Sequence, residues 1–357
     1  MAKSGKCLIV VNRAAALYIM KIKKSAARLL AGMIIVILPV QLPIGEAFMA
    51  DLQFDKKDSM QRIEAHLHLL TEEIGERSIR HWDRHAKARD AIYDHFESVG
   101  LQPTFETYDY EGMPVSNVIA EIPPGENSTQ RYIIGAHYDT VSGTVGADDN
   151  ASGVAVLLEL ANVLQHNRDL MQNGPSIRLV AFALEEPPVF STRFMGSKVH
   201  ARAMKANQER LDGMICLEMV GYTCHQQGCQ SYPFPLNLMG YPETGDFIGI
   251  VGNFSSRRFT AALMDAFDKN PALPNISLSV PFNGWLTPAI RLSDHASFWD
   301  QGFNAVMITD TAFYRNPHYH LPSDTMETLD VDFMAELVRS LLLFFTKVPD
   351  RRSLSGL

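Results

Sequence analysis

Cysteine is scarce, 4 residues in 357, so no disulfide framework holds this chain together, and a chain of this length buries a core without one. No repeat of fixed period and no low-complexity tract occurs, which excludes solenoids and fibrous classes. Positive charge is in deficit: 32 Lys+Arg against 40 Asp+Glu leave −8, removing the electrostatic footprint of a nucleic-acid binder. No Gly-x-Ser-x-Gly elbow accompanies Ser152, which argues against a serine hydrolase. Long apolar runs are nearly absent as well. The exception, residues 29–45, carries Pro39 and Pro43 and falls short of the roughly 20 residues a spanning helix needs.

That run follows Lys21, Lys23, Lys24 and Arg28, the basic-then-apolar order of a secretory signal. Gly45 and Ala47 stand at the spacing of a cleavage site. Residues 1–50 therefore read as a signal peptide, with an N-terminal membrane anchor as the alternative, and residues 51–357 as one catalytic domain that is exported, periplasmic or secreted. Met20 opens the signal more naturally than Met1 does. Cys216 sits in an apolar run and reads as a buried thiol. Cys224 and Cys229 flank a four-residue loop and are expected to be bridged in an oxidising compartment.

What is present is strong periodicity. Met60, Ile63, Leu67, Leu70 and Ile74 repeat at helical spacing, as do Ala88, Ile92 and Phe96, predicting two opening helices. Alternation over residues 104–110 and 115–122, separated by Glu111-Gly112, predicts a hairpin. Residues 132–136, 177–184, 214–220, 247–251 and 305–308 are short, almost wholly apolar runs that read as buried central strands. Helix-compatible stretches at 151–165, 197–206, 256–268 and 331–345 lie between or after them. The fold class is α/β, a single domain with a mostly parallel, mixed sheet flanked by helices on both faces. Ligands of such sheets gather beyond the carboxyl ends of the strands.

Acids and histidines fall at those ends: His137-Tyr138-Asp139, Glu185-Glu186, Glu218 and His318-Tyr319-His320, with Asp148-Asp149-Asn150 entering the helix at Ala151. Carboxylates and imidazoles at the edge of an apolar sheet are costly to desolvate unless a cation waits for them. His137, Asp148, Glu186, Glu218 and His320 suffice as ligands of two tetrahedral zinc ions if one carboxylate bridges. Two dications, three carboxylates and a hydroxide sum to zero. Asp139, two residues beyond His137, is placed to hold the other imidazole nitrogen. Adjacent Glu185 and Glu186 cannot both face one metal, which leaves one as a base. Asp149 and Asn150 read as helix caps, and His66, His68, His81, His85 and His95 as solvated. His318 is the alternative to His320, Asp212 to Glu218. Asp294-His295 reads as a structural pair or a substrate contact.

The segments 135–139, 146–153, 184–186 and 319–325 resemble, in order and spacing, the two-zinc metallopeptidase family of leucyl aminopeptidase, aminopeptidase S and aminopeptidase Y, whose relatives include glutamate carboxypeptidase and glutaminyl cyclase. The resemblance covers roughly residues 60–346. It implies a zinc-peptidase (phosphorylase/hydrolase-like) architecture, and two zinc ions with Asp148 bridging, His137 and Glu218 on one, Glu186 and His320 on the other. Glu185 would be the general base and Asp139 the orienting carboxylate. The implied reaction is hydrolysis of a peptide with a free N-terminus by a bridging hydroxide, with no nucleic-acid or protein partner. The fourth ligand is often Asp in that family, where this chain has the longer Glu218. Cyclisation of N-terminal glutamine, carboxypeptidase activity and a non-catalytic binding ectodomain are the alternatives. Residues 221–240 and 282–288, rich in Gly, Pro and aromatics, are expected to shape the pocket.

Overall fold

Four short, almost wholly apolar strands set the centre of the fold. In this computed structural model, which describes residues 52–346, the strands are β1 (Thr104–Tyr110), β2 (Met113–Ile122), β3 (Arg131–His137), β4 (Ser176–Phe182), β5 (Gly213–Leu217), β6 (Ile248–Asn253), β7 (Asn275–Val280) and β8 (Ala305–Thr309). They form one sheet in the order β1-β2-β4-β3-β5-β8-β6-β7. β4, β3, β5 and β8 run parallel at its centre. The hairpin β1–β2 joins β4 antiparallel. On the far side β6 meets β8 antiparallel, and β7 lies parallel to β6. The leader assigned to residues 1–50, and Cys7 within it, lie outside the described residues.

Successive strand side chains point to opposite faces, and both faces are covered. Ile134, Leu179, Ala181, Ile215 and Leu217 join one core. It is closed by helices α1 (Lys56–His68), α2 (Trp82–Ser98), α3 (Gly153–His166), then α5 (Arg257–Phe267) and α7 (Val331–Thr346), with α4 (Gly196–Ala206) and α6 (His295–Asp300) on the opposite side. There Ile133, Val180, Phe182, Met214 and Cys216 pack against Ala201, Met204, Phe298 and Trp299. α3 is buried on every side from Gly153 to Leu164, as expected of a helix apolar all round. At roughly 1.5–3 kcal/mol for each fully buried large aliphatic side chain, it is a firm anchor for the loop that precedes it.

Three elements differ from the sequence reading. The 214–220 run stops being strand at Leu217, because Met219 turns into the left-handed region at φ 47°. β7, Asn-Ile-Ser-Leu-Ser-Val, is an edge strand whose polar alternation does not resemble the buried runs around it. α6 is six residues long, too short to show a helical period. The histidines also differ. His85 is buried against the Tyr138 ring, and the half-buried His66 and His95 rings meet edge to face between α1 and α2. Cys224 and Cys229 form a disulfide and Cys216 is a buried free thiol. No helix among the described residues is long and apolar enough to cross a membrane.

Candidate metal centre

The carboxyl ends of the parallel strands deliver the polar residues to one spot. His137 ends β3, Glu185 and Glu186 follow β4, and Glu218 follows β5, where its N–H bonds the Ile308 carbonyl of β8. His320 arrives from the loop before α7. Three residues adjoining or within this set, Leu184, Met219 and His320, have positive φ. For a residue with a Cβ that conformation costs about 1–2 kcal/mol, the kind of local strain that concentrates at functional sites.

The structure brings together His137, Glu185, Glu186, Glu218 and His320, and corrects one expectation. Asp149, not Asp148, lies between the histidines: its Oδ1 is 3.3 Å from His137 Nε2 and its Oδ2 3.1 Å from His320 Nε2. Glu218 Oε2 stands 3.5 Å from His137 Nε2, and Glu186 Oε2 3.3 Å from His320 Nε2. The donors form two overlapping triads, His137–Asp149–Glu218 and Asp149–Glu186–His320, each able to hold a metal ion.

The exchange of the two aspartates has a physical cause. Asp149 is extended, at φ −106° and ψ 88°, so consecutive side chains diverge. Asp148 turns into the protein, accepting from Gly221 N–H (2.9 Å) and Asn316 Nδ2 (2.6 Å). Asp324 fixes this arrangement by accepting both the Asp148 and Asp149 N–H groups, at 2.8 and 3.1 Å. Gly146 opens the loop at φ 54°, where a Cβ would lie 2.1 Å from the Asp149 carbonyl oxygen. Asn150 does accept the Gly153 N–H as a cap, and also ties the loop to β5 through the Leu217 carbonyl and the Met219 N–H. Asp149 caps nothing.

Asp139 is where its expected role needs it. Its Oδ1 is 3.4 Å from His137 Nδ1, and its two oxygens accept the Glu185 and Glu186 N–H groups at 2.9 and 3.0 Å. One carboxylate thus orients an imidazole and the strand end bearing both glutamates. The rivals fall away: Asp212 binds Arg131 N–H at the other end of β3, and His318 faces Ser323. Asp294 and His295 do not pair, since His295 Nε2 donates to the Ile290 carbonyl.

Four buried carboxylates, Asp149, Glu185, Glu186 and Glu218, face two imidazoles. Burial pushes the Glu185 carboxyl well above the usual range, with Glu218 and Glu186 adding to the effect against the pull of His137. Burial and the Asp149 charge carry Glu186 up to about 8. Burial opposes a charged His320, yet Asp149 and Glu186 raise it to about 10. Both directions report excess negative charge among largely buried groups. Glu186 Oε1, His137 Nε2 and His320 Nε2 are buried without a hydrogen-bond partner.

Two residues that sequence reasoning missed stand behind the centre. Arg77, fully buried, sends five hydrogen bonds to the carbonyls of Leu70, Gly75, Tyr138, Val145 and Gly146. It thereby ties the segment that follows α1 to the end of the strand bearing His137 and to the loop bearing Asp149. Nothing in its local sequence distinguishes it from a surface arginine. Tyr319 stacks on the His320 ring and lines an apolar cavity of about 120 Å³ that opens beside Glu218. Tyr232, Phe247, Ile276, Leu278 and Ile290 are among the other residues of its wall. The expected 221–240 loop contributes Ser231, Tyr232, Pro233 and Leu236, whereas residues 282–288 do not line it; Ala289, Ile290 and Leu292 do.

Comparison with known proteins agrees with this architecture. A family model for peptidase family M28 matches residues 117–344. The Escherichia coli protein named "Uncharacterized protein YfbL" is 38% identical over 296 residues, covering 80% of this chain and 87% of that protein. A "Probable leucine aminopeptidase" from Trichophyton verrucosum is 27% identical over 242 residues, covering 65% of this chain and 57% of that protein, so this chain spans little more than half of it. Among solved structures, LapB from Legionella pneumophila has a TM-score of 0.62 at 20% identity, covering 84% of this chain and 74% of its own. Tannerella forsythia glutaminyl cyclase has a TM-score of 0.58 at 18% identity, covering 83% and 99%; these two share the fold. With its strand-end donors in place and a family model spanning most of the sheet, the chain belongs to peptidase family M28.

Proposed function

We propose that this chain is an aminopeptidase that holds two zinc ions and removes an N-terminal residue bearing a large apolar side chain. The observation that carries the reading is the Asp149 carboxylate, held with one oxygen toward His137 and the other toward His320. The donor set fits zinc. Bonds of about 2.0–2.1 Å in tetrahedral geometry put ligand atoms roughly 3.3 Å apart, and the four donor separations here are 3.1, 3.3, 3.3 and 3.5 Å. Orphaned ring nitrogens and an orphaned Glu186 oxygen point the same way. His137 and Glu218 would hold one ion, Glu186 and His320 the other, and Asp149 both. Such ions supply a lowered pKa to water and polarise a carbonyl.

The remaining work falls to the chain. Glu185, Oε2 4.0 Å from His137 Nε2 and fixed through its N–H to Asp139, is not needed by either triad and takes the proton from the attacking water, then passes it to the leaving amine. Asp139 keeps His137 in one orientation. Tyr319 lines the cavity beside Glu218. The cavity admits an aliphatic or aromatic side chain, as one of about 150 Å³ lined by apolar residues admits benzene. We also infer export, from the order of residues 21–45 and from the Cys224–Cys229 disulfide, which an oxidising compartment favours.

The test is a panel of aminoacyl anilides, N-blocked peptides and an N-terminal glutaminyl peptide, with metal-loaded, chelated and Glu185→Gln protein. Cleavage of leucyl and phenylalanyl anilides only, lost on chelation and at least a thousandfold lower in Glu185→Gln at unchanged zinc content, is expected. Cyclisation of the glutaminyl peptide without anilide cleavage would replace the reading with a cyclase, and full activity of Glu185→Gln would remove the base.

A further inference from the structure

A second recess lies across a ridge from the apolar cavity. Leu292 lines both. The recess, about 260 Å³, is framed by Phe190, Met195 and Lys198 on one side and Trp285, Arg291 and Ser293 on the other. Two bonds tie its walls to the metal centre: Ser293 Oγ donates to Glu218 Oε2 at 2.6 Å, and the Phe190 N–H bonds the Glu186 carbonyl at 3.1 Å. A substrate whose N-terminal side chain fills the cavity beside Glu218 has its scissile bond at the centre, so the next residue must leave in another direction. The recess is the neighbouring opening.

Its charge is opposite to its surroundings. The chain carries −8 overall and the centre is crowded with carboxylates, yet the recess presents Lys198 and Arg291 against Asp300 alone. Arg291 is committed: it lies over the Trp285 ring at 3.9 Å, reaches Asp300 at 2.7 Å and donates to the Asn283 carbonyl. Lys198 is not. Its ammonium has three donors, of which the Ser191 carbonyl and hydroxyl take two, at 2.6 and 3.3 Å.

Resting on the aminopeptidase reading, we propose that this recess is the subsite for the residue following the scissile bond, and that Lys198 selects a carboxylate carried by that residue. The carboxylate has two sources, the free C-terminus of a dipeptide or an acidic side chain.

The experiment measures kcat/KM of the zinc-loaded enzyme for Leu-Ala against Leu-Ala-amide, and for Leu-Glu-amide against Leu-Gln-amide. The first pair reads a C-terminal carboxylate and the second a side-chain carboxylate. At least one pair is expected to favour the anion by about fivefold, the size of a partly exposed ion pair, through KM. Lys198→Gln should bring that ratio to near one, Lys198→Glu should invert it, and Lys198→Arg should restore it. Equal rates within both pairs, or a preference unchanged in Lys198→Gln, would overturn the subsite and leave the aminopeptidase reading standing. A wild-type enzyme that cleaves none of the four peptides defeats the aminopeptidase reading, and the subsite with it.

Discussion

Replacing Arg77 by methionine removes a guanidinium that no ligand, substrate or solvent touches, and the expected consequence is loss of both stability and metal affinity. Three of its five bonds, to the Tyr138, Leu70 and Gly146 carbonyls, are fully buried. Each carbonyl left without a donor costs about 1–3 kcal/mol. Simple addition gives roughly 3–9 kcal/mol, and water entering the space left behind brings the expected loss to about 3–5 kcal/mol. Against a typical total of about 5–15 kcal/mol, the variant is marginal. Arg77 also compensates the Asp139, Asp324, Asp149 and Glu186 charges, although burial lowers its own pKa to about 10. Tethering and charge compensation are separated by Arg77→Lys, which keeps the charge and loses the planar fork. Urea unfolding of the three proteins, with zinc content measured on the folded fraction, decides. Tethering predicts that Lys resembles Met. A loss below about 1 kcal/mol in Arg77→Met, or full restoration by Lys, would refute the reasoning.

Exchange of the neighbouring aspartates tests the centre itself. Asp149→Ala is expected to abolish zinc binding at both positions by elemental analysis, because its two oxygens serve both triads. Asp148→Asn should retain zinc while lowering thermal stability, and the reverse pattern would restore Asp148 as the bridge. Acid sensitivity follows from His85 and His295, which burial pushes down to about 4 and about 3. Their unfolded value is about 6.5, so their contribution is complete above that pH and is lost as pH falls toward the folded values. Each should give a slope of about 1.4 kcal/mol per pH unit between roughly pH 6.5 and 4.5. Unfolding free energies of wild type and His295→Gln over that window should diverge by one such slope, and parallel lines would contradict the assignment.

How much was legible in the sequence depends on how local the signal is. The hairpin, the central apolar strands and α3 are visible because each is a run whose own pattern decides its state. β7 was not, since an edge strand half open to solvent has no uniform hydrophobicity to betray it. Among site residues, His137, Glu186, Glu218 and His320 could be picked out because each stands at or beyond the end of a recognisable element.

The sequence by itself determined an α/β sheet with acids and imidazoles at its strand ends, and a family resemblance that fixed the class of chemistry, because hydrophobic period and motif spacing are properties of contiguous residues. The tertiary structure alone decided that Asp149 faces the centre while Asp148 faces Asn316 and Gly221, that Arg77 is an internal brace, and that β7 walls a cavity. In an extended loop, the choice between two adjacent side chains is made by backbone torsions. Here those torsions are held by Asp324, 175 residues away from Asp149, and no local pattern reaches that far.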